Sequence, residues 1–467
     1  MKKLNAFLVS VFATVALNAA VIEQVIVRQQ WPWSTDVKVE YKISAVTNPV
    51  DIAVKAYNGD VELPLPPAAI TGDRYGLTED GVGTLVIDPV KAFGTAKVAL
   101  ANFKVKLTLS DSAEDVGEVL YKIFDLTTGD CEDITRAALL NGRHGSIETD
   151  YAKIGADYVT TLSNVVIWTE VTNVPAYKTT HLVMRKIPAA GKVWQIGSPT
   201  DEPGRATQDS EKLQYVRLTQ DFYIGVFEMT QSQWMRIYTA EGTGPVNPST
   251  FTDETGTLPV NNVSYSMLRG NQTYTGVSGE KINWPTNSTL HEVVSASDRV
   301  CFLNDLRKRC KNVEFDLPFD PQWEFACRAG TSGGLNDGLG LRSGSTTSDR
   351  LETLGWYADN ADEMTHAVGL KRPNAFGLYD MHGNIGELLA NWGGGVANAT
   401  SGDGSEAAPL EDPLGPVKTS GSRTVRGGDY ACIPGYCRSA SRAVPTDYYK
   451  QNPKQGFRVV CPVGKTW

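Results

Sequence analysis

Near Tyr177 the chain changes its habit, and that change limits what it can fold into. From residue 177 onward, short strand-like runs alternate with Gly- and Pro-rich loops, and few helices are credible. Thr230–Tyr238 is one, with Thr230 as its cap. Ser297 to about Cys310 is a second, with Val300, Phe302, Leu303 and Leu306 at helical spacing, and Pro321–Cys327 is a third. So much loop, studded with aromatic anchors, predicts a fold that exposes a large irregular surface.

Residues 21–110 read differently. Val21–Arg28, Val37–Ile43 and Ala96–Leu100 are β-branched or alternate apolar with polar, and Asn58-Gly59-Asp60, Pro64–Pro67 and Asp80–Gly83 mark turns between them. That spacing, with no helical pattern, predicts a small all-β sandwich of immunoglobulin-like or fibronectin-like type, serving as a spacer or adhesion module. Residues 111–176 form a bridging segment, with a strand at Val119–Leu126 and one or two helical turns at Ile134–Leu140. It should pack on its neighbours and not fold alone.

A length of 467 residues accommodates two or three such domains. The net charge of −9 and the lack of any polybasic run argue against nucleic acid as a partner. Residues 1–20 read as a secretory signal: Lys2 and Lys3, an apolar stretch Ala6–Leu17, then small residues at Ala19 and Ala20. The expectation is an exported protein (periplasmic, surface or secreted) with no membrane span. Export would place the seven cysteines, Cys131, Cys301, Cys310, Cys327, Cys432, Cys437 and Cys461, in an oxidising compartment, where the odd count leaves at least one unpaired.

Two of them stand five positions apart, between Arg426-Gly427-Gly428 and the return Arg438-Ser439-Ala440-Ser441-Arg442. A pair of thiolates, Cys432 and Cys437, suits a soft cation such as Cu(I). The same spacing suits two structural cysteines. No Gly-x-Ser-x-Gly, phosphate-binding glycine loop or dinucleotide fingerprint offers another chemistry. Asp349 and Glu352 read as solvated surface carboxylates.

An ordered set of segments resembles the formylglycine-generating enzyme (sulfatase-modifying factor) family. They are Trp194–Pro199, Phe222–Thr230, Leu258–Tyr265, Asp316-Leu317-Pro318 with Gln322–Thr331, Asn374–Met381 with Gly383-Asn384, and the closing Arg426-Gly427-Gly428 and Gly456-Phe457-Arg458. The resemblance covers about residues 180–463. It implies a C-type-lectin-like α+β domain over 177–463 with little regular secondary structure.

Active members of that family oxidise a cysteine of a sulfatase polypeptide with O₂ and copper held by two cysteines. Anchored on Gly427-Gly428, the resemblance places Cys432 and Cys437 there, and Tyr436 also matches. Asp429 replaces the usual serine, Ile433 the usual histidine, and the return to Arg442 is shortened. Anchored on Arg442, Cys437 falls in a Cys-Arg-Ser-Ala-x-Arg pattern of non-catalytic relatives. That implies a Cys327–Cys437 disulfide, which would bar copper, and by the same resemblance a Cys301–Cys461 disulfide. The family's Gly-Asn-Val-Trp-Glu-Trp element implies structural Ca²⁺ on Asp380, Asn384 and Glu387, oxygen donors of the kind calcium takes. Gly386 and Leu388 replace both tryptophans, and the alternative is a polar loop held by hydrogen bonds. His366 and His382 lack ligand partners at zinc spacing.

Between Asp429 and Asn452 the residues are unusually mixed, while Arg438, Arg442 and Gly456-Phe457-Arg458 hold a frame around them. This resembles the variable region of retroelement-diversified proteins, which display hypervariable residues on a lectin-like fold. Tyr- and Ser-rich surfaces suit adaptable binding. The expected contact residues are Tyr430, Ile433, Tyr436, Ser441, Asp447, Tyr448 and Tyr449, facing a protein or glycan ligand. Ligand display is therefore the first expectation, a copper oxidase of sulfatases the second, and an architectural envelope protein the third.

Overall fold

The structure, a computed structural model, describes residues 20–29, 34–94, 102–112, 116–142, 144, 147–148, 166–205, 211–238, 246–269, 301–341, 350–393, 396, 399, 401–415, 422–447 and 450–463. The expected signal segment and the expected strand at Ala96–Leu100 lie outside them, save Ala20. The chain forms two compact units. One takes the chain up to Leu120 with Ile134–Glu148 and Trp168–Glu170; the other takes Tyr121–Asp133, Thr149–Ile167 and the chain from Val171 onward. Among the described residues no helix is long and apolar enough to cross a membrane.

In the first unit, alternation sets the architecture. One antiparallel sheet runs in the order Val21–Gln29, Val37–Ser44, Gly81–Ile87, Ile70–Gly72, and a second in the order Val61–Leu63, Val50–Asn58, Phe103–Asp111. Along Val37–Ser44 every second residue (Val39, Tyr41, Ile43) is buried while Lys42 is exposed, as a strand with one wet face requires. Val39, Ile43, Ile52, Leu85, Val105 and Leu107, drawn from both sheets, belong to one core.

The segment 111–176 is divided. Arg136–Leu140 forms a helix capped by the Thr135 hydroxyl, and belongs to the first unit. There the Asn141 side chain accepts from the backbone N–H groups of Arg74 and Tyr75 and donates to the Tyr75 carbonyl. Val119–Asp125 and Cys131–Thr135 instead enter a five-stranded sheet, in the order Val460–Pro462, Phe222–Gly225, His181–Ile187, Val119–Asp125, Cys131–Thr135.

The second unit adds a four-stranded sheet, Ala443–Asp447, Ser422–Arg426, Gly386–Trp392, Gln455–Gly456, and a three-stranded one, Val193–Ile196, Gln214–Arg217, Leu410–Glu411. Its helices are short. Gln231–Ile237 starts in a capping box, with Thr230 Oγ1 accepting from Gln233 N and the Gln233 side chain accepting from Thr230 N. Phe302–Arg309 ends at Cys310, and Asp320–Arg328 starts with Pro321 in its first turn, where a missing N–H costs nothing. The rest is irregular backbone, and buried side chains must satisfy what no ladder does.

Candidate functional site

Four arginines build the floor of the site. Arg426, at the end of Ser422–Arg426, donates to Asp320 Oδ1 at 2.5 Å, to Glu324 Oε2 at 2.6 Å and to the carbonyl of Ser439 at 2.7 Å. Arg442 reaches Asp320 Oδ2 at 2.7 and 2.9 Å. Arg438 meets Glu202, Glu211 and the Gly435 carbonyl, and Arg458 meets both oxygens of Glu387 and the Tyr379 carbonyl. Burial alone would raise the Asp320 and Glu324 carboxyls, yet the guanidiniums beside them hold both below the usual range. Such charge-assisted pairs impose geometry, and the planar guanidinium serves a carboxylate and a loop carbonyl together.

Above that floor the chain turns through Gly427 and Gly428, both at positive φ. A Cβ on Gly428 would lie 2.6 Å from Cys437 Sγ, so the position requires glycine. Ala431 N and Cys432 Sγ donate to Asp429, at 2.8 and 3.1 Å. The 3₁₀ turn Pro434–Cys437 follows. His382, wholly buried, holds that turn from beneath. Its Nε2 accepts from Asn336 N at 3.0 Å, so Nδ1 carries the proton and donates to the Cys437 carbonyl at 2.6 Å. Burial lowers its pKa to about 4, keeping the ring neutral.

The expected contact residues separate. Ile433 and Tyr436 are 39% and 51% exposed. Tyr430 is buried, edge-on to Phe251 at 5.5 Å, and Ser441 is buried with its carbonyl on Arg426, so both serve packing and not contact. Asp447 ends strand Ala443–Asp447, while Tyr448 and Tyr449 lie outside the described residues.

All seven cysteines are free thiols, so neither expected disulfide is formed. Cys327 sits 3.6 Å from the Ser439 hydroxyl and 3.9 Å from the Met381 carbonyl, and is not joined to Cys437. Cys301 precedes the helix Phe302–Arg309, buried among that helix's surroundings and not joined to Cys461. Cys437 belongs to an apolar cluster with Leu335, Leu341, Leu351, Leu354 and Tyr357, against which Cys432 packs. Burial, reinforced by Asp429, pushes the Cys432 thiol up to about 12, and burial with the neighbouring Cys432 raises Cys437 well above the ordinary range. A Cu(I) ion held there would sit between two thiolates with Asp429 beside them, in an apolar cluster where Lys454 is a cation that acts on Cys432.

The expected calcium donors carry protein partners. Glu387 gives both oxygens to Arg458 and also accepts from Trp323 Nε1 at 2.7 Å. Asn384 Oδ1 accepts from His366 N, and its amide donates to Glu228 at 2.7 Å. Asp380 Oδ2 accepts from Gly369 N, and burial raises this carboxyl to about 6. Among the described residues no three His, Cys, Asp or Glu side chains group as a metal site. Hydrogen bonds thus reach all three expected donors, while the buried Asp380 Oδ1 has no hydrogen-bond partner.

Some residue roles had no legible signal. Glu228 falls in the motif segment Phe222–Thr230, yet nothing there marked it as the buried acceptor of the Asn384 amide and of Ile385 N. Another group is the stack in which the Lys371 ammonium and the His366 ring each lie 3.8 Å from Trp356. These residues are far apart in sequence and follow no period.

Residues 190–463 match the sulfatase-modifying factor enzyme 1-like domain, more than half of the chain, and the protein belongs to this family. It is 28% identical over 194 residues to the chaperone protein LppX of Paenibacillus barcinonensis, covering 37% of this chain and 62% of that one. It is 30% identical over 176 residues to the formylglycine-generating enzyme of Streptomyces coelicolor, covering 35% of this chain and 49% of the other. The chain thus spans about half to three-fifths of the length of these relatives. Among solved structures, Treponema denticola variable protein 1 aligns at 21% identity and a TM-score of 0.41, over 61% of this chain and 96% of its own.

Proposed function

We propose that this is an exported protein whose second unit is a non-catalytic ligand-binding or display domain, with residues 429–452 as its adaptable surface. The observation that carries the reading is the turn Pro434–Cys437. Arg438 and His382 pin its carbonyls from beneath, while Ile433 and Tyr436 beside it stay exposed. A rigid base under exposed apolar and aromatic side chains lowers the ordering cost of binding a protein or glycan. Diversification by a retroelement would explain why framework arginines alternate with unrelated residues. The first unit, whose four-stranded sheet runs Val21–Gln29, Val37–Ser44, Gly81–Ile87, Ile70–Gly72 in the A-B-E-D manner of an immunoglobulin sheet, would act as a spacer.

The second reading is copper-dependent oxidation of a sulfatase cysteine. Its support is that Cys432 and Cys437 are both unbridged and pack in one cluster. Relatives in this family carry both chaperone and formylglycine-generating names, so membership favours neither.

The test is a Cu(I) competition titration of the purified protein, with an assay of a cysteine-bearing sulfatase peptide. Display predicts no tight one-to-one copper site and no aldehyde product. Formylglycine formation would overturn it. Sequencing the surrounding locus for a template repeat covering codons 429–452 tests diversification, and its absence sinks that part.

A further inference from the structure

Three cysteines outside the candidate site share a neighbourhood of the second unit. Cys131 opens the strand Cys131–Thr135, Cys310 caps the helix Phe302–Arg309, and Cys461 lies in Val460–Pro462. The turn leading to Cys131 docks on the end of that helix. Arg309 Nη1 donates to the carbonyls of Leu126 and Thr127 at 2.8 and 3.2 Å, and Lys311 pairs with Asp130. Gly129, two residues before Cys131, comes so close that a Cβ there would lie 1.9 Å from the Arg309 carbonyl oxygen and 3.6 Å from Cys310 Cα. Cys131 is exposed, whereas Cys310 and Cys461 are buried.

We propose that Cys131 and Cys310 close into a disulfide when the folded protein meets a low-molecular-weight disulfide, tying the turn to the helix and leaving Cys461 a thiol. The Cys131 thiolate attacks the disulfide of oxidised glutathione, forming a mixed disulfide and releasing one glutathione thiol. The Cys310 thiolate then attacks Cys131 Sγ, forming the protein bridge and releasing the second glutathione. Two protein thiols are oxidised and one glutathione disulfide is reduced to two thiols.

Exposure selects Cys131 for the first step, and the close approach of Gly129 to the Arg309 carbonyl and Cys310 Cα, with the Arg309 and Lys311 side chains on the same turn, selects Cys310 for the second. Cys461 is as buried as Cys310, but its strand pairs with Phe222–Gly225, whereas the turn before Cys131 meets the end of the helix that Cys310 caps. The thiols also feel one another: burial and then Cys131 push Cys310 up to about 12. Closure on the folded protein should therefore be slow, because thiolate is scarce. The trio is not a metal site, since no such group occurs among the described residues.

Peptide mapping of the full chain, held in reduced and then oxidised glutathione and quenched by acid alkylation, tests this. Trypsin separates all three cysteines, and Cys310 falls between Arg309 and Lys311. Oxidation should link residues 123–136 to Cys310-Lys311, leave Cys461 alkylated, and raise Tm by about 5 °C or more, since the bridge closes a long loop. Cys131→Ser, at an exposed position, should keep the Tm of the reduced protein in both buffers. Cys131 alkylated throughout, or Cys310 joined to Cys461 or Cys301, overturns the proposal.

Discussion

The two units bury different things. The core of the first is Val, Ile and Leu on alternating strands, with Arg74 and Asn141 as its buried polar side chains among the described residues. The second buries Arg423, Arg426, Arg438 and Arg458 completely, together with Asp320, Glu324 and Glu387. The difference follows the backbone. In the first unit, long ladders satisfy the main chain, so a core need only be apolar. In the second, carbonyls in irregular segments have no strand partner and receive guanidinium donors: Ser439 and Ser441 from Arg426, Tyr379 from Arg458, Ser332 and Gly333 from Arg328. Each of these arginines then needs a buried carboxylate. Ion pairs here organise loops first and contribute stability second.

That contrast can be broken most forcefully at Arg426. Arg426→Met should cost about 3–5 kcal/mol, because it leaves Asp320 and Glu324 buried with fewer cations and two carbonyls unserved. Urea unfolding of the variant checks this, and a loss under about 1 kcal/mol would mean that the charges are dispensable. In the first unit the comparable lesion is a cavity. Leu85→Ala should cost about 2–4 kcal/mol by the same measurement, and changing a charged residue on the outer faces should not approach that.

A pH series sharpens the comparison further. His382 titrates near 6.5 when unfolded and near 4 in the fold, so the unfolded chain binds its proton first. Its contribution is fully present above about pH 6.5 and fades as pH falls towards 4, by roughly 2–3 kcal/mol. His382→Gln should flatten that stretch of the stability–pH curve, and an unchanged slope would remove His382 from the account. The smallest effect belongs to the exposed tip. Ile433→Ser with Tyr436→Ser should leave stability within about 0.5 kcal/mol, since neither side chain belongs to the core. A larger loss in thermal unfolding would show that the turn is part of the frame, not a surface it carries.

Much of this was legible in the chain. The alternation in Val37–Ser44, the Thr230 cap and the proline opening Asp320–Arg328 are local signals, and the structure repeats them within a residue or two. The ordered motifs after Tyr177 located the family domain for the same reason. The site was less legible. Tyr430 and Ser441 read as surface because mixed polar and aromatic residues look exposed, yet Phe251 and Arg426 draw them inward. The partners of the expected calcium donors were equally hidden: Arg458, distant in sequence, takes both oxygens of Glu387.

What the sequence determined alone was therefore whatever depends on near neighbours: strand period, caps, turn glycines and the motif order that marks the family. What only the tertiary structure decided was the state of the thiols and the partner of each buried charge. Cys437 and Cys327 are unbridged, Ser439 and Met381 being the neighbours of the Cys327 sulfur, and burial in an apolar cluster keeps the Cys437 thiol protonated. Those outcomes depend on desolvation and on contacts across many tens of residues, which no local pattern encodes.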